Sequence, residues 1–100
     1  MTQSWNRAID NALFNRAVEA VREEYVYAAE KWNIATTPTR GEHTTTEYLV
    51  YIDDYLREAK TFVTRGADPL ANQLALDALR KIANLAITAM IQNGIVERTP

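Results

Sequence analysis

Residues 70–91 read LANQLALDALRKIANLAITAMI, and the fold turns on how this stretch is understood. Leu70, Leu74, Leu76, Leu79, Ile82, Leu85, Ile87, Met90 and Ile91 occupy most of the circumference of a helix of period 3.6. A helix like that is expected to be packed nearly all round. One polar line interrupts it, formed by Gln73, Asp77, Lys81, Asn84 and Thr88 at close to the helical spacing. Burying unpartnered polar groups is costly, so the line is expected to face either a site or a polar seam between subunits.

The flanks punctuate this helix. Asp68-Pro69 offers an N-cap followed by proline at the first helical position. Gly94 stops the helix, with Ile95 placed to fold back on Met90 in a Schellman closure and Val96 placed to dock. Upstream, Gly66 ends a second helix whose start carries a Thr-x-x-Glu capping box at Thr44 and Glu47. The apolar line of that helix is Leu49, Ile52, Leu56, Ala59 and Val63, with Tyr48, Tyr55 and Phe62 every seven residues on its shoulder. So short a joint makes the last two helices an antiparallel hairpin.

Before the hairpin, the run from Thr36 to Gly41 contains Pro38 and is the clearest break in the chain. Ahead of it Phe14, Val18, Val21, Tyr25, Ala28 and Trp32 alternate steps of four and three, which marks a helical packing seam. Ile9 and Leu13 broaden its N-terminal end. The spacing predicts helices over about 4–34, 44–65 and 69–93, a linker at 35–43 and a tail at 95–100, all within one domain spanning 1–100. An interruption near Asn11 would raise the count to four. The predicted fold class is therefore all-α: a small bundle with a long N-terminal helix packed on an antiparallel helical hairpin.

Composition narrows the function. A chain of 100 residues with 47% hydrophobic content builds one modest core, and small domains of this kind tend to self-associate. There is no cysteine, which removes disulfides, thiolate ligands and cysteine nucleophiles. Eleven basic against thirteen acidic residues, without a basic run, argue against direct DNA or RNA binding. Charges break every apolar stretch short of the ~20 residues that span a bilayer, and no secretory leader is evident. A cytoplasmic, homo-oligomeric protein is expected.

Helical periodicity sets Glu47, Asp54 and Glu58 on one stripe of the second helix, and Glu19, Glu23 and Glu30 on one stripe of the first. If Asp77 faces Asp54 and Glu58 across the hairpin, three hard oxygen ligands converge, as Mg²⁺ requires to hold a polyphosphate. The plainer alternative is a solvated acidic face, with Asp54 paired to Arg57 and Lys81 paired to a carboxylate of the second helix. His43 is the only histidine and precedes the cap, where a structural contact suits it; one histidine without cysteine excludes a His-rich metal centre within the chain.

Tyr25, Tyr27, Tyr48, Tyr51, Tyr55 and Trp32 could stack on a base while Lys31, Arg57 or Lys60 meets phosphate. The alternative reading makes the aromatics packing and interface anchors, with Phe14, Tyr25, Trp32, Tyr48 and Phe62 the candidates. Three isolated glycines rule out both a P-loop and a dinucleotide-binding loop.

Several short motifs carry a family resemblance. Arg22-Glu23-Glu24-Tyr25, Lys31-Trp32, His43-Thr44, Glu47-Tyr48-Leu49, Leu56-Arg57-Glu58-Ala59-Lys60 and Asn93-Gly94-Ile95-Val96-Glu97-Arg98 are similar to small phage and prophage proteins grouped with the MazG-like, all-α nucleoside triphosphate pyrophosphohydrolases. The resemblance covers approximately residues 19–98. It implies a helical dimer or higher oligomer and Mg²⁺-assisted cleavage between the α and β phosphates of a nucleotide.

Carried onto this chain, the resemblance makes Asp54, Glu58 and Asp77 the catalytic and metal-binding acids. Lys81 stands where the family pattern offers a further acid, subtracting a ligand and adding a positive charge. Either the three acids still hold Mg²⁺, or the pocket binds a nucleotide without metal, with Lys81 and Arg80 on phosphate and Tyr51 or Tyr55 on the base. Two alternatives belong to other classes. One is a phage-type structural or protein-interaction module engaging itself or a host protein. The other is an oligomer that sequesters cyclic nucleotides, which the hairpin architecture also resembles.

Overall fold

The computed structural model describes residues 10–33, 35, 41–65 and 68–99, and among them it contains three α-helices and no strand. These are α1 (Asn11–Lys31), α2 (Thr45–Thr64) and α3 (Ala71–Asn93). Helices α2 and α3 form the hairpin, and α1 lies against it chiefly through α3. The all-α bundle with a leading helix on a hairpin is thus the architecture observed.

Local chemistry explains where the helices begin. Asp10 is the N-cap of α1, its carboxylate accepting from the Leu13 backbone N–H at 3.0 Å. A helix running unbroken from residue 4 is therefore corrected to one whose first residue is Asn11, because Asp10 is extended and caps it with its side chain. The predicted stretch at 4–9 lies outside the described residues, as do Thr36–Arg40 of the linker. The capping box of α2 is complete: Glu47 N–H donates to Thr44 Oγ1 at 3.1 Å, and Thr44 N–H donates to Glu47 Oε1 at 2.9 Å.

Two ends of α3 depart from expectation. Asp68 does not cap the helix; it turns back to accept from Leu70 N–H at 2.8 Å, and α3 opens two residues later than Pro69 suggests. At the C-terminus Gly94 N–H reaches Met90 O at 2.9 Å, an ordinary helical bond, and Gly94 adopts φ 128. No Schellman closure forms. Ile95 and Val96 extend into solvent, with Val96 91% exposed.

Gly41 is required twice over: its φ is 75, and a Cβ there would collide with the Trp32 backbone oxygen. That close approach brings the chain from the end of α1 to the start of α2.

The core is small and built from small residues. Ala59 of α2 and Ala75 and Ala78 of α3 form the buried cluster, and among the described residues Tyr48 is the one other buried apolar side chain. On α2 the predicted aliphatic line faces inward only at Ala59, which is buried, and Ile52, which is half-buried. Tyr48 is buried and Tyr51, Tyr55 and Phe62 are half-buried, whereas Leu49, Leu56 and Val63 are exposed. Leu49, Leu56 and Val63 each follow an aromatic residue by one position, about 100° around the helix, and the wider rings take the inside because they fill more volume and bury more area. The expectation for α3 is corrected likewise: Leu70, Leu76, Leu79, Ile87, Met90 and Ile91 are exposed, so the helix is covered on only part of its circumference. On α1, Val21, Tyr25 and Ala28 are half-buried, while Phe14, Val18 and Trp32 remain exposed along the same seam.

Candidate functional site

A cleft of about 830 Å³ opens where the C-terminal half of α1 meets the hairpin. From α1 come Tyr25, Ala28, Ala29 and Trp32; from α2 come Tyr48, Tyr51, Asp54, Tyr55 and Glu58; from α3 come Asn84, Leu85, Thr88 and Gln92. His43 and Gly41, on the segment entering α2, close one end. Helical spacing explains the arrangement. Tyr48, Tyr51, Tyr55 and Glu58 recur at steps of three and four and so share one side of α2. Asn84, Thr88 and Gln92 recur at steps of four on α3 and continue the polar line anticipated there.

Gln92 organises the closed end. Its Oε1 accepts from the Tyr48 hydroxyl at 2.6 Å and from His43 N–H at 3.0 Å, and its Nε2 donates to Gly41 O at 2.9 Å. Asn93 Nδ2 donates to His43 O at 3.0 Å. Two adjacent amides at the end of α3 thus pin the approach to α2. His43 meets Tyr48 and Tyr51 edge-on, at ring separations of 5.5 and 5.2 Å, and the two tyrosines are edge-on to one another at 6.3 Å. Among the described residues its buried Nδ1 has no hydrogen-bond partner; the Glu47 carboxylate is 3.7 Å away, too far for a bond.

Burial pushes the Tyr48 hydroxyl above its ordinary pKa. The Glu47 carboxyl is held below its usual range by the Thr44 backbone N–H first, then by the Thr44 hydroxyl, with a smaller effect from His43. Asn84, 5% exposed, stands in the wall, with Thr88 Oγ1 bonded to its backbone oxygen at 2.9 Å.

The charged residues divide into two groups. Asp54 and Glu58, one helical turn apart, line the cleft. Asp77 does not; it is bonded to Arg80, and its Oδ2 lies 3.3 Å from Lys81 Nζ. Arg80 also donates from Nε to Glu24 Oε1 at 3.0 Å, tying α1 to α3. Burial opposes ionisation of Asp77, but hydrogen bonds and charge from Arg80 and Lys81 outweigh it and hold its pKa below 3.8. Burial likewise works against the Lys81 ammonium, yet Asp77 raises its pKa above 10.5. Arg80 is raised first by Glu24 and then by Asp77.

The partner foreseen for Lys81 on α2 is therefore replaced by Asp77 on its own helix. Arg57 pairs with Asp53 at 2.9 Å rather than with Asp54. Lys81 Nζ also sits 5.6 Å from the centre of the Tyr55 ring, and Lys31 Nζ sits 5.0 Å from that of Trp32.

Among the described residues no group of three or more His, Cys, Asp or Glu side chains is placed to hold a metal ion. One chain brings Asp54 and Glu58 together with the aromatic rings and leaves Asp77 in a separate ion cluster. Two carboxylates are nonetheless a fitting donor set for Mg²⁺ shared with phosphate, since this ion keeps waters and takes only one or two protein carboxylates at such sites. They do not amount to an all-protein cage.

The proposed interface residues also separate. Phe14 and Trp32 are exposed, Tyr25 and Phe62 are half-buried, and Tyr48 is buried inside the chain at 3% exposure. Tyr48 is thus corrected from a surface anchor to a core residue. Sequence reasoning overlooked Gln92 and Glu24. Glu24 lies beside the Phe14–Trp32 seam on the helical wheel, which could have marked it; nothing local distinguishes Gln92.

Comparison of the chain with family models, with curated proteins and with solved structures finds no match. No described helix is long and apolar enough to cross a membrane.

Proposed function

We propose that this protein binds nucleotides as a relative of the MazG-like pyrophosphohydrolases, acting as a cytoplasmic homo-oligomer. The base occupies the aromatic part of the cleft, and the phosphates lie at Asp54 and Glu58. The observation that carries this reading is the placement of those two carboxylates in the same cavity as Tyr25, Trp32, Tyr51 and Tyr55. Stacked rings suit any base, because every base presents a π-face.

Two carboxylates repel a bare polyphosphate, and the described lining contains no lysine or arginine to offset them. Bound Mg²⁺ would resolve that conflict, supplying positive charge beside the phosphates and polarisation for a water. Asp54 and Glu58 would hold the ion, while the rings orient the base and keep bulk water from that end. Asp77 stays with Arg80 and Lys81. Its contribution is to position those cations, not to ligate.

Calorimetric titration with deoxynucleoside triphosphates, in Mg²⁺ or in EDTA, tests this, together with an assay for released pyrophosphate. Binding is expected in Mg²⁺ only, weakened about tenfold or more, equivalent to ~1.4 kcal/mol, by Asp54→Asn and by Glu58→Gln. No heat with any nucleotide in Mg²⁺ sinks the reading.

A second version is favoured by one contact, the Lys81 ammonium over the Tyr55 ring. A cation there can meet phosphate if it leaves Asp77. This version predicts binding that persists in EDTA and disappears in Lys81→Ala.

A further inference from the structure

The wall of the cleft holds a polar side chain that the fold leaves unused. Asn84 on α3 lines the cleft and is only 5% exposed, the one buried polar residue among those described. A carboxamide carries two N–H donors and an acceptor oxygen, and burying them without partners is costly. Its neighbour Thr88 meets little of that need. The Thr88 hydroxyl donates to the Asn84 backbone oxygen at 2.9 Å and lies 3.4 Å from Asn84 Oδ1. A hydroxyl has a single proton, and the shorter contact holds it. Asn84 Nδ2 donates to nothing among the described residues.

This nitrogen is not sealed in the core. Among the described residues, His43 Nδ1 is the one fully enclosed side-chain atom without a partner. The small exposed part of Asn84 therefore includes Nδ2, and the space it borders is the cleft. Gln92, two turns further along α3, shows the opposite pattern: both ends of its amide are engaged, with His43, Tyr48 and Gly41. The pairing of Tyr48 with Gln92 also fixes the register of the hairpin. Eight residues back along α3 and seven forward along α2 each cover about 10–12 Å, which brings Asn84 level with Tyr55. The approach of Lys81 Nζ to the Tyr55 ring, at 5.6 Å, agrees with that register. The free amide thus stands at the edge of the aromatic part of the cleft.

We infer that Asn84 reads the base of the bound nucleotide, and that the base it takes is adenine. This choice of base rests on nucleotide binding in the cleft and goes beyond it, because rings accept every base alike. An amide matches an edge that sets a donor beside an acceptor. Adenine offers that pair on both of its edges, N6–H beside N7 and N6–H beside N1. Oδ1 accepts from N6–H while Nδ2 donates to the ring nitrogen, whichever edge faces α3. Guanine offers such a pair at O6 and N1–H, but its other edge sets two acceptors, N7 and O6, side by side and leaves Oδ1 unpaired. Pyrimidines present a smaller face to the same rings.

Calorimetric titration of the full chain in Mg²⁺ is the test, with the four deoxynucleoside triphosphates and with purine deoxyriboside triphosphate, which lacks the 6-amino group. Deoxyadenosine triphosphate is expected to bind about tenfold or more tightly than the other four. Asn84→Leu, close in size and without polar groups, is expected to bind all five alike. A residue that only supported the fold would move the five affinities together and leave their ratios unchanged. Equal binding of the adenine nucleotide and its deaminated analogue by the unaltered chain overturns the inference while the nucleotide site stands, and it requires no variant to fold. A preference for another base overturns it too, as does an adenine preference that Asn84→Leu retains. Heat from none of the five overturns the nucleotide reading and this inference together.

Discussion

Near the joint of the hairpin, Ala59, Ala75 and Ala78 bring α2 directly onto α3, whereas at the far end Tyr48, Tyr51 and His43 fill the corresponding space with rings. The alanine end needs no polar partner and leaves no room. The aromatic end meets edge-on, needs Gln92 to satisfy the Tyr48 hydroxyl, and opens into a cleft of about 830 Å³. Stability and ligand space are therefore assigned to opposite ends of the same pair of helices. Small side chains close one end; large ones with hydrogen-bonding tips hold the other open.

The contrast is most vulnerable at its tight end. Ala78→Leu forces extra methyl groups between two backbones and should destabilise the fold by about 2–3 kcal/mol, lowering Tm by roughly 10–20 °C. Thermal melting followed by circular dichroism checks this. A melting point within a few degrees of the unaltered protein would show that the helices are not in close contact there.

At the ring end, Gln92→Leu should cost about 2 kcal/mol, because it strands the buried Tyr48 hydroxyl and releases Gly41 and His43. Tyr48→Phe leaves Gln92 bonded to His43 and Gly41 and should cost roughly half as much. Urea unfolding of the two variants sharpens the comparison. Equal losses would mean that Gln92 acts only through Tyr48.

The smallest effect concerns the ion cluster that joins α1 to α3 outside both ends. Asp77 has a depressed folded-state pKa, so its contribution is present above the unfolded-state value near 3.8 and is lost as pH falls through the folded one. Lys81 is raised, so its share is present below 10.5 and is lost as pH rises through the folded value. Both groups are more than a third exposed, and with solvent screening their contribution should stay below about 1 kcal/mol. Asp77→Asn should flatten the acid limb of stability against pH. An unchanged limb would place the acid sensitivity elsewhere.

Much of this was legible residue by residue. The capping box at Thr44 and Glu47, the turn at Gly41 and the stop at Gly94 are dictated by local sterics and hydrogen bonding, and the structure reproduces them. The polar line on α3 pointed to either a site or a polar seam between subunits, and two of its five members, Asn84 and Thr88, line the cleft. The inward face of α2 was not legible. Aliphatic and aromatic lines lie side by side on it, and periodicity ranks neither. Gln92 was equally silent, because its partners Gly41, His43 and Tyr48 are distant in sequence and meet it only when the hairpin closes.

The amino-acid order by itself determined that this chain is helical and where most of its helices stop, since capping and period act within a few residues. It also determined that Asp54 and Glu58 share a helical face, which follows from a spacing of four. Tertiary structure alone decided that those acids face aromatic rings while Asp77 turns to Arg80 and Lys81. The physical reason is that a side chain's partner across helices depends on how the helices are rotated against one another. That rotation is set by the packing of Ala59, Ala75 and Ala78 and of the tyrosines, not by any local rule.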